Sequence, residues 1–349
     1  MQMRAIYAEE LGKLMERDPK IVLLDADLGK ASGTLGLRAR FPDRIFDCGV
    51  AEQNMASIAA GLASYGFKPW IESFTPFAAR RICDQIAISI CYAGMNVRIV
   101  GTDPGITAEL NGGTHMSVED VGVLRSIPGL VIFEPVDETQ LRAAMPALDA
   151  YQGPVYIRLV RGEQPAVFPA GYRFDLFKAD VLRSGRQSAV PTDGDGDGRQ
   201  IAENGRQSAV PTTGDGRQIA GATEGDLTIC VSGFLTKDCL EAAEALEAEG
   251  ISCEVLNVHT IKPIDRETVI ASARRTGAVL TVENHNIVGG LHAAVLEALA
   301  RERVPVWAVG IEDRFGEVGR LPYLRKALGL TKEHIIEAAR EAVKLKAEK

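Results

Sequence analysis

Apolar side chains along this chain gather into short unbroken runs, separated by longer stretches of helical periodicity. Residues 4–16 put Ile6, Leu11 and Leu14 near one face with charges between them, which predicts a helix. Ile21-Val22-Leu23-Leu24 follows and closes on Asp25-Ala26-Asp27. A run of this kind, without alternation, predicts a strand buried on both faces of a parallel sheet. Further strands are expected near 44–48, 68–72, 96–101, 130–134 and 155–159. Between 44–48 and 68–72, Met55, Ile58, Ala59 and Leu62 carry a helical pattern that ends at Gly66. Glu52 falls on the first turn of that helix, where the helix dipole favours a carboxylate. Strands alternating with helices predict right-handed βαβ units in a doubly wound sheet, with ligands beyond the carboxyl ends of the strands. Asp27, Glu52, Phe74 and the loop 102–115 all follow predicted strands, so they are expected on one rim.

After Arg161 the pattern lapses into an extended link, with short strands expected at 172–174 and 179–182. Gly-Arg-Gln-Ser-Ala-Val-Pro-Thr then occupies 185–192 and recurs at 205–212, while Gly-Asp-Gly-Arg-Gln-Ile-Ala occupies 196–202 and recurs at 214–220. A tandem duplication so poor in large apolar groups cannot offset its ordering entropy by burial, and it is expected to be a mobile surface loop. Its aspartates invite a calcium reading, but Asp193-Gly194-Asp195-Gly196-Asp197 meets Asn204 where an EF-hand loop needs its twelfth-position Glu. From 226 the alternation resumes: strand 226–231, helix 238–249, strand 252–258, helix 265–276, strand 278–282, a glycine turn, helix 291–301, strand 304–309 and a last helix from 332. The expected organisation is a first domain over 1–165, a linker over 166–225 holding the duplicated 185–220 insertion, and a second domain over 226–349.

With 349 residues, two domains are the natural expectation, and 46% hydrophobic with 25% charged residues fits a sizeable globular core. A net charge of −8 argues against a nucleic-acid partner. Met1-Gln2-Met3-Arg4-Ala5 lacks the apolar core of a signal peptide, and no uncharged apolar run is long enough to span a membrane. Cys48, Cys83, Cys91, Cys230, Cys239 and Cys253 show no CxxC spacing and are expected to be buried thiols in a reducing cytoplasm.

Three motifs carry candidate chemistry: Asp47-Cys48-Gly49-Val50-Ala51-Glu52-Gln53-Asn54-Met55, then Glu72-Ser73-Phe74-Thr75-Pro76-Phe77, then Gly112-Gly113-Thr114-His115. In this order they resemble the pyrimidine-binding domain of transketolase, most nearly the C-terminal subunit of its split, two-chain bacterial form. The second half, with Val258-His259-Thr260-Ile261-Lys262-Pro263 and Val282-Glu283-Asn284-His285, resembles the transketolase C-terminal domain. The fold class implied is α/β, two doubly wound domains, the pyrimidine-binding domain first. His259 and His285 are expected to be structural.

The resemblance implies thiamine diphosphate as cofactor, whose own reactivity the protein orients. Glu52 matches the Glu that hydrogen-bonds N1′ of the aminopyrimidine. Phe74 matches the usual stacking ring and Phe77 its companion, while Asp27 and Leu28 match a pair lining the cofactor cleft. His115 matches the residue facing the substrate's C1 hydroxyl and carbonyl. Arg4, Ser32 and Arg161 match positions contacting the sugar and its phosphate, with Arg158 a close competitor for the role of Arg161. Two residues depart from the family pattern: Asp103 stands where a phosphate-contacting His is usual, and Asn111 where an Asp meets the C2 hydroxyl. Asp103 would repel a phosphate unless Arg161 or a partner holds the anion, which leaves the common pentose-phosphate substrates open.

The family's diphosphate- and Mg2+-binding G-D-G…N motif has no counterpart in context, since Gly194-Asp195-Gly196 and Gly214-Asp215-Gly216 sit in the duplication. No metal ligands are therefore expected in this chain. The implied activity is transfer of a two-carbon ketol unit from a ketose to an aldose, with a separate N-terminal subunit holding diphosphate and Mg2+ in a heterotetramer. Related readings are half of a 1-deoxyxylulose-5-phosphate synthase-like enzyme, whose motif reads E-Q-H where this chain has Glu52-Gln53-Asn54. A 2-oxo acid dehydrogenase E1 β-like subunit is a further relative, opposed by the Gly-Thr-His115 loop. A non-catalytic paralogue acting as a structural partner is the reading from outside enzymology.

Overall fold

The computed structural model describes residues 1–185 and 225–347. Most of the duplication at 185–220, with its Asp-Gly repeats, lies outside the described residues. The first sheet uses β1 (Ile21–Asp25), β2 (Ile45–Asp47), β3 (Lys68–Phe74), β4 (Arg98–Thr102), β5 (Val131–Phe133) and β6 (Val155–Leu159). The second uses β7 (Asp180–Arg183), β8 (Leu227–Val231) and β9 (Cys253–Asn257), together with β11 (Val279–Asn286) and β12 (Val306–Ile311). Between β9 and β11 lies β10 (Thr260–Lys262), which leaves its own domain and joins the first sheet beside β5.

The first sheet runs β10-β5-β6-β4-β3-β1-β2, parallel throughout except for β10. Strands β1, β4 and β6 are buried at every position, as unbroken apolar runs require when helices cover both faces of a sheet. On one face Met3, Tyr7 and Leu11 of helix Met3–Arg17 pack with Leu141 and Met145 of helix Glu138–Ala150. On the other, Met55 and Ala59 of helix Glu52–Ser64 pack with Ile86 and Ile90 of the π-helical segment Gln85–Tyr92. The second sheet, β12-β11-β8-β9-β7, is likewise clad on both faces: Ala242 and Leu246 pack with Ile335 and Ala339, and Val269 and Ala273 with Leu291 and Val295.

Three expectations need correction. Cys48, Cys83 and Cys91 are only half-buried, because they lie on elements at the edge of the first domain's core, whereas Cys230, Cys239 and Cys253 are buried. Residues 172–174 are irregular rather than a strand; Tyr172 instead packs at a tilt against Phe168 with ring centroids 4.2 Å apart and donates its hydroxyl to Asp180. The helix expected over 291–301 ends at Ala298. The antiparallel β10 was invisible to sequence reading, because three residues beside a loop carry no period.

A buried polar seam joins the two sheets. Arg158, at the end of β6, donates to Asp120 (2.8 Å), to Glu134 (2.8 Å) and to the Asn284 carbonyl (2.8 Å). Ser232 donates to the other Glu134 oxygen, and Asn284 pairs with the backbone of Pro104 and Ile106. Burial works against the Arg158 charge, but Asp120 and Glu134 outweigh it and raise its pKa. His285 and His259 are buried as well, and burial pushes both down to about 4, so they are neutral hydrogen-bonding groups of the core. The seam also fixes the second domain against the loop that ends in His115. A Cβ on Gly113 would stand 2.4 Å from the Gly316 carbonyl oxygen, so only glycine permits that approach.

Candidate active site

Because β1, β2, β3, β4 and β6 are parallel, their carboxyl ends share one rim. Gly49 turns β2 into the next helix at φ 69°, and Asp47 accepts from Gly49 N (2.9 Å) and from Asp27 N (3.0 Å). Arg38 bridges Asp25 (2.8 Å) and Asp47 (3.1 Å), so the loops after β1 and β2 are tied together. Asp27, at φ 61°, and Leu28 lie in the first of these loops, Asp27 exposed and Leu28 half-buried.

Glu52 opens helix Glu52–Ser64, and only 2% of its surface is exposed. Its two oxygens have separate donors: Ser73 Oγ at 3.3 Å on Oε1 and Arg81 Nη1 at 2.8 Å on Oε2. Phe74 ends β3 and Phe77 follows in a short helical turn, with ring centroids 6.4 Å apart. His115 stands edge-on to both, at 5.7 Å from Phe74 and 5.3 Å from Phe77. Thr114 Oγ1 meets His115 Nδ1 at 2.9 Å and leaves Nε2 without a partner among the described residues. Two arginines lie over the rings, Arg161 Cζ 4.8 Å from the Phe74 centroid and Arg81 Cζ 3.9 Å from that of Phe77. A chain of contacts thus runs Ser73–Glu52–Arg81–Phe77–His115–Phe74–Arg161.

Arg161 ends in Asp103. Its Nε donates at 2.5 Å, its Nη2 is paired to the same oxygen, and its backbone N–H reaches the other at 3.1 Å. Burial pushes the Asp103 carboxyl up against the pull of Arg161. The charge expected to repel an anion is therefore taken up within the chain. Arg4, Asp103 and Arg161 come together on a cleft of about 330 Å³, beside Thr107, Glu109 and Glu163. Glu109 is occupied by Leu321 N (2.8 Å), and Glu163 lies 3.4 Å from the amino terminus. Among the described residues Arg4 donates to neutral acceptors, Gln2 and the Ala31 carbonyl.

Not every candidate reaches this place. Ser32 is fully buried with its hydroxyl unpartnered, and Asn111 is exposed at the end of the turn Gly105–Asn111, with no side-chain partner among the described residues. Arg158 belongs to the seam, which leaves Arg161 as the arginine at the rim. Sequence reading missed Arg81 and Ser73. The signal for Ser73 was its place beside Phe74, and for Arg81 a cation four residues after Phe77.

A flat heteroaromatic ring carrying a polar edge fits this arrangement: Glu52 supplies a desolvated carboxylate and the Phe pair supplies apolar faces. Among the described residues no group of three or more His, Cys, Asp or Glu is placed to hold a metal ion.

The sequence pattern described as transketolase, pyrimidine binding domain, matches residues 1–166, and that described as transketolase, C-terminal domain, matches residues 219–335. The chain belongs to the transketolase family. This transketolase chain is 45% identical to the 6-deoxy-6-sulfo-D-fructose transketolase subunit of Clostridium sp. (strain MSTE9), over 99% of its own length and 95% of the relative's. It is 32% identical to an apulose-4-phosphate transketolase subunit of Phocaeicola vulgatus, over 98% and 97% of the two chains. A solved split-gene transketolase, in an inactive β4 tetramer, superposes with a TM-score of 0.82 at 37% identity, over 99% of both chains. By contrast, the chain spans about half the length of its curated 1-deoxy-D-xylulose-5-phosphate synthase relatives. The transketolase family is one of thiamine diphosphate enzymes. No helix among the described residues is long and apolar enough to cross a membrane.

Proposed function

We propose that this chain is the pyrimidine-binding half of a two-chain transketolase, and that it moves a two-carbon ketol unit from a ketose with an anionic far end to an aldose. The observation that carries the reading is the convergence of buried Glu52, the Phe74–Phe77 pair and His115 on one rim. Bound thiamine diphosphate supplies the carbon nucleophile that such a transfer needs. Glu52 holds and exchanges a proton at the pyrimidine N1′, Phe74 and Phe77 orient the ring and exclude water, and Asp27 and Leu28 border the same cleft. His115 Nε2 donates to the substrate carbonyl. Arg161 and Arg4 take the anionic end, phosphate or sulfonate; the relative from Clostridium is named for a sulfonated sugar. Ser32 is buried beside Ala31, whose carbonyl accepts from Arg4, and it lies behind that arginine rather than touching sugar.

Diphosphate and Mg2+ fall to an N-terminal subunit in a heterotetramer. Support comes from apolar side chains left open beside the Glu52 helix: Val50 is 75% exposed, and Phe46, Ile58, Ile88 and Tyr92 are exposed with it. The working domains are 1–165 and 226–349, with the duplicated segment between them. Six free thiols support a reducing, cytoplasmic setting.

The test is a ketol-transfer assay on the chain co-expressed with its N-terminal partner, with thiamine diphosphate and Mg2+. Activity should appear only in the mixture. Glu52→Gln should lower kcat by roughly 10²–10⁴-fold with the complex still assembled. Full activity in that variant would remove Glu52 from the chemistry and sink the reading.

A further inference from the structure

Arg81 is the group in this site that neither the family resemblance nor the sequence motifs assign a task. Its guanidinium does two things at once. It donates to Glu52 Oε2 at 2.8 Å, and its Cζ lies over the Phe77 ring, 3.9 Å from the centroid. A protonated aminopyrimidine asks for the same two partners: a carboxylate for a ring N–H and an aromatic face for its plane. Both are planar delocalised cations of similar thickness. They cannot share the position.

We propose that Arg81 stands in the aminopyrimidine's place until the cofactor arrives, and that cofactor binding displaces it toward solvent. The inference rests on the transketolase reading and says how that site is kept before it is filled. Glu52 is 2% exposed and would otherwise be a buried carboxylate with only a 3.3 Å contact from Ser73, a costly state for a cofactor-free chain. Arg81 removes that cost while remaining easy to expel, since 42% of its side chain is already exposed. Its turn, Arg80–Ile82, follows Ala79 at φ −120° and ψ −85°, outside the helical region, so the backbone breaks between Phe77 and Arg81. The guanidinium can therefore leave without unwinding the turn that positions the ring. Gln53 Nε2 donates to the Arg81 carbonyl at 3.3 Å and ties the backbone, not the side chain, to the Glu52 helix.

Two experiments test this. On the chain alone, urea unfolding of Arg81→Met, Glu52→Gln and the double variant forms a cycle, and the double should lose less than the sum of the singles. Additive losses would mean that the pair does not exist in the free chain, and would overturn the proposal. On the complex with its partner, thiamine diphosphate with Mg2+ is titrated and followed by quenching of intrinsic fluorescence. Arg81→Met should bind cofactor about tenfold more tightly and associate faster, a gain of about 1.4 kcal/mol. Arg81→Lys should fall between, since an ammonium keeps the charge but stacks poorly. Weaker binding in Arg81→Met would make Arg81 a cofactor contact, and unchanged binding would make it a bystander; either result overturns displacement. If the wild-type complex binds no cofactor while the cycle still shows coupling, the functional reading has failed and this proposal falls with it.

Discussion

Arg158 and Arg161 lie three residues apart at the end of β6, yet they belong to opposite kinds of site. Arg158 is 1% exposed and saturated: two carboxylates and a carbonyl from three different elements close around it. Arg161 is shared between one carboxylate, Asp103, and the face of Phe74, on the wall of an open cleft. The first arrangement holds two domains together, and nothing remains for a ligand. The second leaves a charged edge and a ring face within reach of one. What separates binding from bracing here is not residue type but how many partners burial obliges the residue to take.

The strongest way to break the comparison is to remove both cations. Arg158→Met leaves Asp120 and Glu134 buried without a counter-charge, and the expected loss of stability is about 3–5 kcal/mol. Arg161→Gln, at the cleft wall, should cost far less in the same urea titration. Equal midpoints for the two variants would show that the seam is no more cooperative than the rim.

A second effect comes from buried groups that titrate. Burial, with the nearby Asp25 charge adding to it, raises Glu72 to about 8 despite a hydrogen bond from Thr34; burial likewise raises Glu283 to about 7. Unfolded carboxyls ionise near 4.5, so the folded chain holds two extra protons above that pH and loses stability as pH rises through the folded values. His259 and His285, pushed down to about 4, act in the other sense and lose stability as pH falls from 6.5 toward 4. Between 4.5 and 6.5 the two pairs offset each other. The visible consequence is a decline from pH 6.5 to 8, of about 2 kcal/mol from Glu72. Glu72→Gln should flatten that slope in unfolding curves taken across the window. An undiminished slope would mean that Glu72 is already ionised in the fold.

The comparison also marks what could be read without coordinates. Strand order along the chain was legible, because runs such as Ile21–Asp25 and Val155–Leu159 are apolar at nearly every position and parallel sheets bury both faces. Glu52 at a helix start and Phe74 at a strand end were legible from motif and spacing, and the rim follows from the shared strand direction. Three things were not. Arg158 and Arg161 could not be told apart, because the partners that decide between them, Asp120, Glu134 and Asn284, are distant in sequence. Ser32 matched a position contacting the sugar and its phosphate, yet it lies fully buried at the end of the helical turn Gly29–Ser32. Asp103 looked like an uncompensated anion, since its pairing with Arg161 spans two strands and leaves no local trace.

That pairing sets the smallest and sharpest prediction. If Arg161 meets the anionic end of the ketose, Arg161→Gln should raise KM for a phosphorylated or sulfonated donor about tenfold, roughly 1.4 kcal/mol, with kcat little changed. The single variant carries an ambiguity, because it also strands Asp103, which is 3% exposed. The double variant Arg161→Gln, Asp103→Asn removes both charges and keeps the shape, and such neutral replacements of a buried pair are often tolerated. A raised KM in the double, with wild-type stability, assigns the loss to the missing contact with substrate. Recovery of KM in the double would instead assign it to the stranded carboxylate, and Arg161 would then be a brace like Arg158, differing from it only in exposure.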